Sequence, residues 1–383
     1  MKFTKLSLVA ALLIGSSAFA VENIKVSGDA KIFYSTDDSG AGLLDSDTAL
    51  GQAGLGLGLS ADLTEGVSAG THLTVLSTLG LEKQLVMGVW EGTNGTSDYF
   101  WMDEAWIAGT TGNTTAKIGR MQLDTPLVFS ETWSMATNTF EAAVVINQDL
   151  PDTTLVGAYV GGSNGAAENA GSAGMVIADV NANGTTNFSQ FYNGAYAAGI
   201  VNNSFEPLTA QAWYYQATSV GSAYWLQADL NMGGILAGVQ YTGIDLGTSS
   251  SAVAAMVGYE MKDTFTAKLS YSMVDDAANA GFNLSGSGMS KLYTESWWSW
   301  LVSTADTTAV NLTVEAPIAD IVDLGLYATM ASNDTTNNDI TEVTLTASKS
   351  YGPFDTSVAA IMTDDDSNAD AINTLQVFLT YNF

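Results

Sequence analysis

Few side chains in this sequence are equipped for chemistry, and they are unevenly spread. There is one histidine, His72, and no cysteine, which excludes thiolate metal centres, disulfides and thiol nucleophiles. His72 shares an alternating face with Gly70 and Thr74. A hydrolytic triad needs a serine and an orienting acid around such a histidine; this one reads as a polar group on a water-lined wall. The best candidate stretch is 116–155, where Lys117 and Arg120 precede Asp124, Glu131 and Glu141. Charges of both signs beside a confined water path sort ions rather than carry out a reaction. Arg120 is the only arginine and stands an odd number of residues from Lys117. On an extended strand the two point to opposite faces unless a bulge or strand end intervenes. The same charges could instead pin the following loop to a wall by ion pairs.

Charge and composition narrow the classes further. Acidic residues number 40 against 11 basic ones, for a net charge of −29. Such a polyanion does not bind nucleic acid through phosphate contacts, and it draws cations toward any confined water path. Charged residues nevertheless make up only 13% of the chain, where a soluble surface carries about 25–35%. The first twenty residues combine Lys2 and Lys5, an apolar run over 6–15, and Ala18-Phe19-Ala20 as a small-x-small cleavage site. That is the pattern of a secretory signal peptide, 1–20. Nothing downstream supplies the roughly 18 uninterrupted apolar residues of a membrane helix. No Pro-rich or Ser-rich linker divides the remainder, so 21–383 reads as a single domain.

Those charges must be positioned by strands. Alternation with period two predicts them: Ile24, Val26, Gly28, Ala30 and Ile32 out, against Lys25, Ser27, Asp29 and Lys31 in. Val310, Leu312 and Val314 alternate with Asn311, Thr313 and Glu315, and Leu269 and Tyr271 with Lys268 and Ser270. Short turns alternate with longer polar loops at 35–49, 79–97, 122–139, 162–188, 275–305, 331–339 and 363–371. The fold class is all-β, a transmembrane antiparallel β-barrel of eighteen strands, with sixteen as the alternative count. The apolar stretch 174–180 is read as loop packing. An even count puts both termini on the short-turn side, as in outer-membrane barrels. The last stretch, 372–383, has one apolar, aromatic-ended face closing on Tyr381 and Phe383. It resembles the terminal strand of outer-membrane barrels, whose closing aromatic is the signal for the barrel-insertion machinery.

Within 116–155, Gly119-Arg120, Thr125-Pro126-Leu127 and Asn138-Thr139-Phe140-Glu141 resemble the corresponding segment of OprD-type porins and related major outer-membrane porins. The resemblance implies an eighteen-stranded barrel whose third long loop folds into the lumen; the alternation makes 122–139 that loop. It implies further that Asp124 and Glu131 face Lys117 and Arg120 across the constriction, beside Glu141. One departure stands out. Relatives that carry acidic substrates line their path with a basic ladder, and here only Lys25, Lys31, Lys117, Arg120 and Lys268 could contribute.

The function expected is a passive outer-membrane pore for small hydrophilic solutes and ions, preferring cations, with no catalytic reaction and no cofactor. A substrate-specific porin for sugars, small peptides or amino acids is the alternative, and a surface adhesin or receptor barrel the alternative of another class. Trp297, Trp298 and Trp300 are assigned, with Tyr34, Trp106, Tyr271 and Tyr381, to the aromatic belt at the headgroups; stacking on sugars is the other use for the tryptophans. Acidic tips at Asp37-Asp38, Asp45 and Asp47, Asp275-Asp276 and 364–366 could take Ca²⁺ or bridge lipopolysaccharide through divalent ions. No EF-hand spacing accompanies them. Family resemblance adds a homotrimer, associated through apolar wall patches such as the Gly-rich face of 50–63.

Overall fold

Period-two alternation carries directly into strands. The computed structural model describes residues 21–40, 42–77, 79–80, 99–132, 135–165, 188–285, 289–299 and 301–383. The expected signal peptide at 1–20, the stretch 174–180, Trp300 and most of the loop 79–97 lie outside the described residues. Six strands lead up to the middle of the chain: β1 (Glu22–Asp37), β2 (Leu50–Thr64), β3 (Val67–Ser77), β4 (Tyr99–Thr111), β5 (Thr114–Met121) and β6 (Phe140–Asn147). Then come β7 (Thr153–Ser163), β8 (Ser189–Phe205), β9 (Leu208–Ala217), β10 (Gly221–Met232), β11 (Ile235–Asp245) and β12 (Ser249–Met261). The last six are β13 (Phe265–Val274), β14 (Thr307–Ile318), β15 (Val322–Asn333), β16 (Asn338–Tyr351), β17 (Phe354–Asp365) and β18 (Ile372–Asn382).

Every strand pairs antiparallel with its sequence neighbours, and β18 returns to pair with β1 from Asp29↔Asn382 to Asp37↔Thr374. The eighteen strands among the described residues thus close into a barrel without an edge, and the count of sixteen is not the one found. Gly28 and Phe383 exchange two backbone hydrogen bonds of 2.9 Å, which completes the seam one residue beyond β18. The expected loop 331–339 shrinks to 334–337. Asn333 is the cause: its Nδ2 donates to the Ala305 carbonyl at 2.7 Å and its Oδ1 accepts the Thr336 N–H at 2.8 Å, so a tight turn forms there.

Val26, Ile32, Leu55, Val239, Val257, Leu269, Met330 and Leu345 are exposed, each on the parity predicted to face lipid or its continuation around the sheet. Two of the irregularities in the ladder lie close to the charged residues of β4 to β7. In β4, Glu104 pairs with His72 and Met102 with Leu73, so Asp103 is the extra residue. Phe100 and Met102 face out above it, Ile107 faces out below it, and the buried Asp103 turns toward His72. In β7, Gly161 is the extra residue, since Gly162 pairs with Glu141 and Val160 with Ala142.

Tyrosines of the outward parity form a ring on the long-loop side: Tyr159 meets Tyr196 at 5.2 Å and Tyr224 meets Tyr241 at 5.7 Å between ring centroids. Tyr381 and Phe354 belong to the opposite ring. Trp106 does not join the belt. It packs against Gly70 and carries the Lys117 ammonium over its ring at 4.2 Å, on the inner parity.

Gly119 is where β5 needs a residue without a Cβ. Its φ is +129°, and a Cβ there would strike the Ala105 carbonyl oxygen and come to 2.8 Å from the Trp106 Cα. Gly119→Ala should therefore lower stability by about 1–3 kcal/mol, read as a lower urea midpoint of the barrel refolded in detergent. Gly157→Ala, where a Cβ meets open space, should leave the midpoint almost unchanged.

Candidate functional site

A Pro-containing turn begins the site. Thr125 Oγ1 donates to the Val128 carbonyl at 2.7 Å, Ser130 N–H to the Leu123 carbonyl at 2.7 Å, and an isolated bridge joins Asp124 to Phe129. The result is a compact knuckle after β5, with Leu127, Val128 and Phe129 all buried. It leans on β9, where the Leu127 N–H donates to the Tyr215 hydroxyl at 3.3 Å. It also leans on the chain after β13. Leu284 N–H donates to the Leu127 carbonyl at 2.8 Å, and Asn283 Nδ2 donates to the Phe129 carbonyl at 3.0 Å and to Glu131 Oε1 at 2.9 Å.

That second segment, 275–306, is anchored to inner-parity side chains around half of the barrel. Gln240 of β11 donates to the Lys291 carbonyl at 2.9 Å and accepts the Tyr293 N–H at 3.0 Å. The Tyr293 hydroxyl donates to Asp229 of β10 at 2.5 Å, and Ser272 of β13 meets Thr294 at 2.6 Å. Glu342 of β16, only 1% exposed, gathers the backbone N–H groups of Trp297 and Ser299 at 2.7 Å and of Trp298 at 3.0 Å. A carboxylate taking several backbone donors is a strong, directional anchor. Apolar contacts seal both ends of the layer. Leu127, Leu284 and Leu292 pack with Phe140, Trp213 and Trp225, while Met135 and Trp298 pack with Phe33, Leu76 and Trp101.

Three carboxyl groups meet at this junction. Burial pushes the Glu295 carboxyl up to about 8; the Ser290 hydroxyl and backbone pull it down, and the nearby Glu131 and Glu342 push it up again. Ser290 Oγ donates to its Oε2, and its buried Oε1 has no partner among the described residues. The Tyr293 hydroxyl is likewise pushed up, first by burial and then by its bond to Asp229.

Of the residues expected at a constriction, Asp124 bonds Lys291, whose ammonium lies 4.7 Å above the Phe129 ring. Glu131 is buried in the junction. Lys117 lies on the inner parity of β5, near Glu104, which accepts from Gln122 at 3.2 Å. Arg120 and Glu141 require a correction. Ile118, two residues before Arg120, is 59% exposed on the outward parity, and Arg120 follows it. Its Nε donates to Glu141 Oε1 at 3.0 Å across the β5–β6 pair, so both sit on the outer wall. Strand parity decides this, because the phase of β5 is kept between Ile118 and Arg120.

Lys25, Asp29, Lys31 and Lys268 keep the inner parity, and Lys31 lies 3.5 Å from Asp29. His72 contacts both Asp103 carboxylate oxygens at 2.8 Å through Nδ1. Trp297 tilts over Tyr327 of the inner wall at 5.0 Å, and Trp298 is held by Glu342, so neither tryptophan belongs to the lipid belt. The acidic tips are engaged locally: Asp37 accepts from Ser39, and Asp38 from Asn373. Among the described residues no three ligating side chains come together as a metal site.

Lys291, Tyr293, Glu295 and Glu342 were not singled out beforehand. Their only early signal was Glu342 and Gln240 interrupting the Thr- and Gly-rich inner faces of β16 and β11.

A family model described as Gram-negative porin matches residues 7–315. Among solved structures, a BenF-like porin from Pseudomonas fluorescens Pf-5 superposes with a TM-score of 0.75 at 11% identity, over 94% of this chain and 99% of that one. OpdK of Pseudomonas aeruginosa, crystallised with vanillate, superposes at 0.73 and 13% identity over 96% and 100%. OccAB4 of Acinetobacter baumannii gives 0.73 at 10% identity over 95% and 99%. At such identities the likeness is one of fold alone. No curated protein sequence matches the chain.

The Glu295 carboxyl sets a pH dependence for the junction. Its ordinary value is 4.5 and its folded value about 8, so the folded state holds the proton more tightly than the unfolded chain. That contribution is whole below about pH 4.5, declines as pH rises, and is gone above about pH 8. Hydrogen exchange over 275–306 should therefore quicken from about pH 5 to about pH 9, and Glu295→Gln should remove the carboxyl's part of that rise. An equal rise in both proteins would refute it.

Proposed function

Since the chain belongs to the Gram-negative porin family and forms an outer-membrane channel, we propose that it passes small hydrophilic solutes and ions by diffusion, with a preference for cations. The segment 122–139 and the segment after β13 form the constriction in this reading. Both are bonded to side chains on the face opposite the exposed apolar one, and a barrel of this width needs such a filling to select anything.

The observation that carries cation preference is the pairing state of the bases. Arg120 is on the outer wall; Lys291 is bonded to Asp124, Lys31 lies beside Asp29, Lys117 stacks on Trp106, and Lys25 and Lys268 are the other bases of the inner parity. Against them the inner parity carries Asp29, Asp103, Glu104, Asp229, Glu315 and Glu342. Low-dielectric walls focus such a field on the water path. No reaction and no cofactor enter this reading.

A substrate-specific porin is the second reading. Trp297 over Tyr327 favours it, as an aromatic pair on the inner side able to stack on a sugar or another flat solute. Saturable, competitively blocked flux would select it over linear flux. Every group named lies within one barrel, so the path needs no second copy; mass in detergent decides whether the expected homotrimer exists.

In planar bilayers under a salt gradient the reversal potential should have the cation-selective sign. Lys291→Glu should strengthen it, and Asp124→Asn should weaken it by about 10 mV or less, as one screened charge would. An anion-selective sign in the wild type would overturn the proposal.

A further inference from the structure

The chain's only arginine is spent on the outer wall. A guanidinium facing lipid costs about 2–4 kcal/mol at the bilayer midplane and about 0–1 near the interfaces, so its height matters. Arg120 pairs with Glu141, two residues along β6 from the partner of the belt residue Tyr159. On β4, outward Phe100, 67% exposed, and Met102 stand on its long-loop side, while Ile118 stands on its short-turn side. Apolar groups therefore flank the charge above and below, close to the Tyr159–Tyr196 pair of the long-loop side.

The guanidinium is held in place. Nε donates to Glu141 at 3.0 Å, Nη2 lies 3.0 Å from the same oxygen, Nη1 donates to the Met102 carbonyl at 3.2 Å, and the Phe188 ring lies 3.9 Å from the guanidinium carbon. These contacts engage three of the five N–H donors of an arginine. Beside it lies a groove of about 440 Å³, lined by Met102, Ile118, Ala142, Ala143 and Tyr159 together with Arg120 and Glu141 themselves. An oriented cation with donors to spare, next to an apolar groove, matches one chemistry at this level: a phosphate with an acyl chain attached.

We propose that the cleft beside Arg120 seats a phosphorylated lipid of the outer leaflet, its phosphate on Arg120 and one acyl chain along the groove. Charge complementarity favours this occupant through the two N–H donors of Arg120 that Glu141 and the Met102 carbonyl leave open, in a chain of net charge −29 that carries no other arginine. The assignment rests on the outer-membrane location but not on the ion preference of the pore.

The test is native mass spectrometry of the detergent-purified barrel with added bisphosphorylated lipid A, dephosphorylated lipid A, or inorganic phosphate as competitor. Wild type should retain the bisphosphorylated lipid about fivefold over the dephosphorylated one, as one charge-assisted contact supplies, and inorganic phosphate should not displace it. Arg120→Gln should lose that preference while conductance and reversal potential stay at wild-type values. Ala143→Leu, which fills the groove, should reduce retention of both lipids. Should Arg120→Gln fail to fold, Glu141→Gln serves in its place: it frees the guanidinium and should raise retention of the phosphorylated lipid. A preference unchanged in Arg120→Gln, or in Glu141→Gln where that variant stands in, overturns the site, as does displacement by inorganic phosphate. A shifted reversal potential in Arg120→Gln overturns it too, by placing the guanidinium in the water path.

Discussion

Hydrocarbon supplies no hydrogen bonds, so a sheet that crosses it cannot leave an edge strand unpaired. The pairing of β18 with β1, finished by the reciprocal bonds of Gly28 and Phe383, meets that demand here. Gly28 has to be glycine for the seam to close this way, because a Cβ there would come within 2.5 Å of the Gly56 carbonyl oxygen, beside the Phe383 ring. Closure at this strand count has a consequence inside the molecule. The wall becomes too wide for side chains alone to fill, so whatever selects solutes must be brought in from the loops.

The two loop segments meet that need with polar bonds at their centre and apolar contacts at their ends. Asn283 reads the carbonyl of Phe129 and the carboxylate of Glu131 together, which locks one loop against the other. Glu342 does the same between loop and wall. Backbone groups in such loops would otherwise be left without partners, and side-chain carboxylates and amides satisfy them without a regular ladder. The cost is a crowd of like charges, and Glu295 meets it by holding its proton.

The outer and inner walls obey different rules although they alternate along the same strands. Inside, charges keep company with water and with each other. Outside, a charge survives only with a partner, and Arg120 has one in Glu141. A one-residue bulge suffices to move a residue between these worlds. Asp103 shows it: the extra residue in β4 places two neighbouring carboxylates, Asp103 and Glu104, toward the inside, next to His72 and Gln122.

Alternation, the scarcity of charge and the aromatic-ended last stretch were enough for a barrel, for its eighteen strands and for the facing of Lys25, Asp29, Lys31 and Lys268, because lipid on one side and water on the other imprint a period of two on every strand. Asp124, Glu131 and Lys117 were named as constriction groups by the resemblance over 116–155; alternation bears only on Lys117, the one of the three that lies on a strand. The misplaced residues have two sources. Resemblance set Arg120 at the pore although parity allows only one of Arg120 and Lys117 on the inner face of β5 without a bulge, and residue type alone set Trp106, Trp297 and Trp298 in the belt. Lys291, Glu295 and Glu342 stayed invisible because their partners lie in segments far away along the chain. Which loop lies against which strand depends on how the closed wall brings distant rungs face to face. No local pattern records that, since it exists only after β18 has found β1.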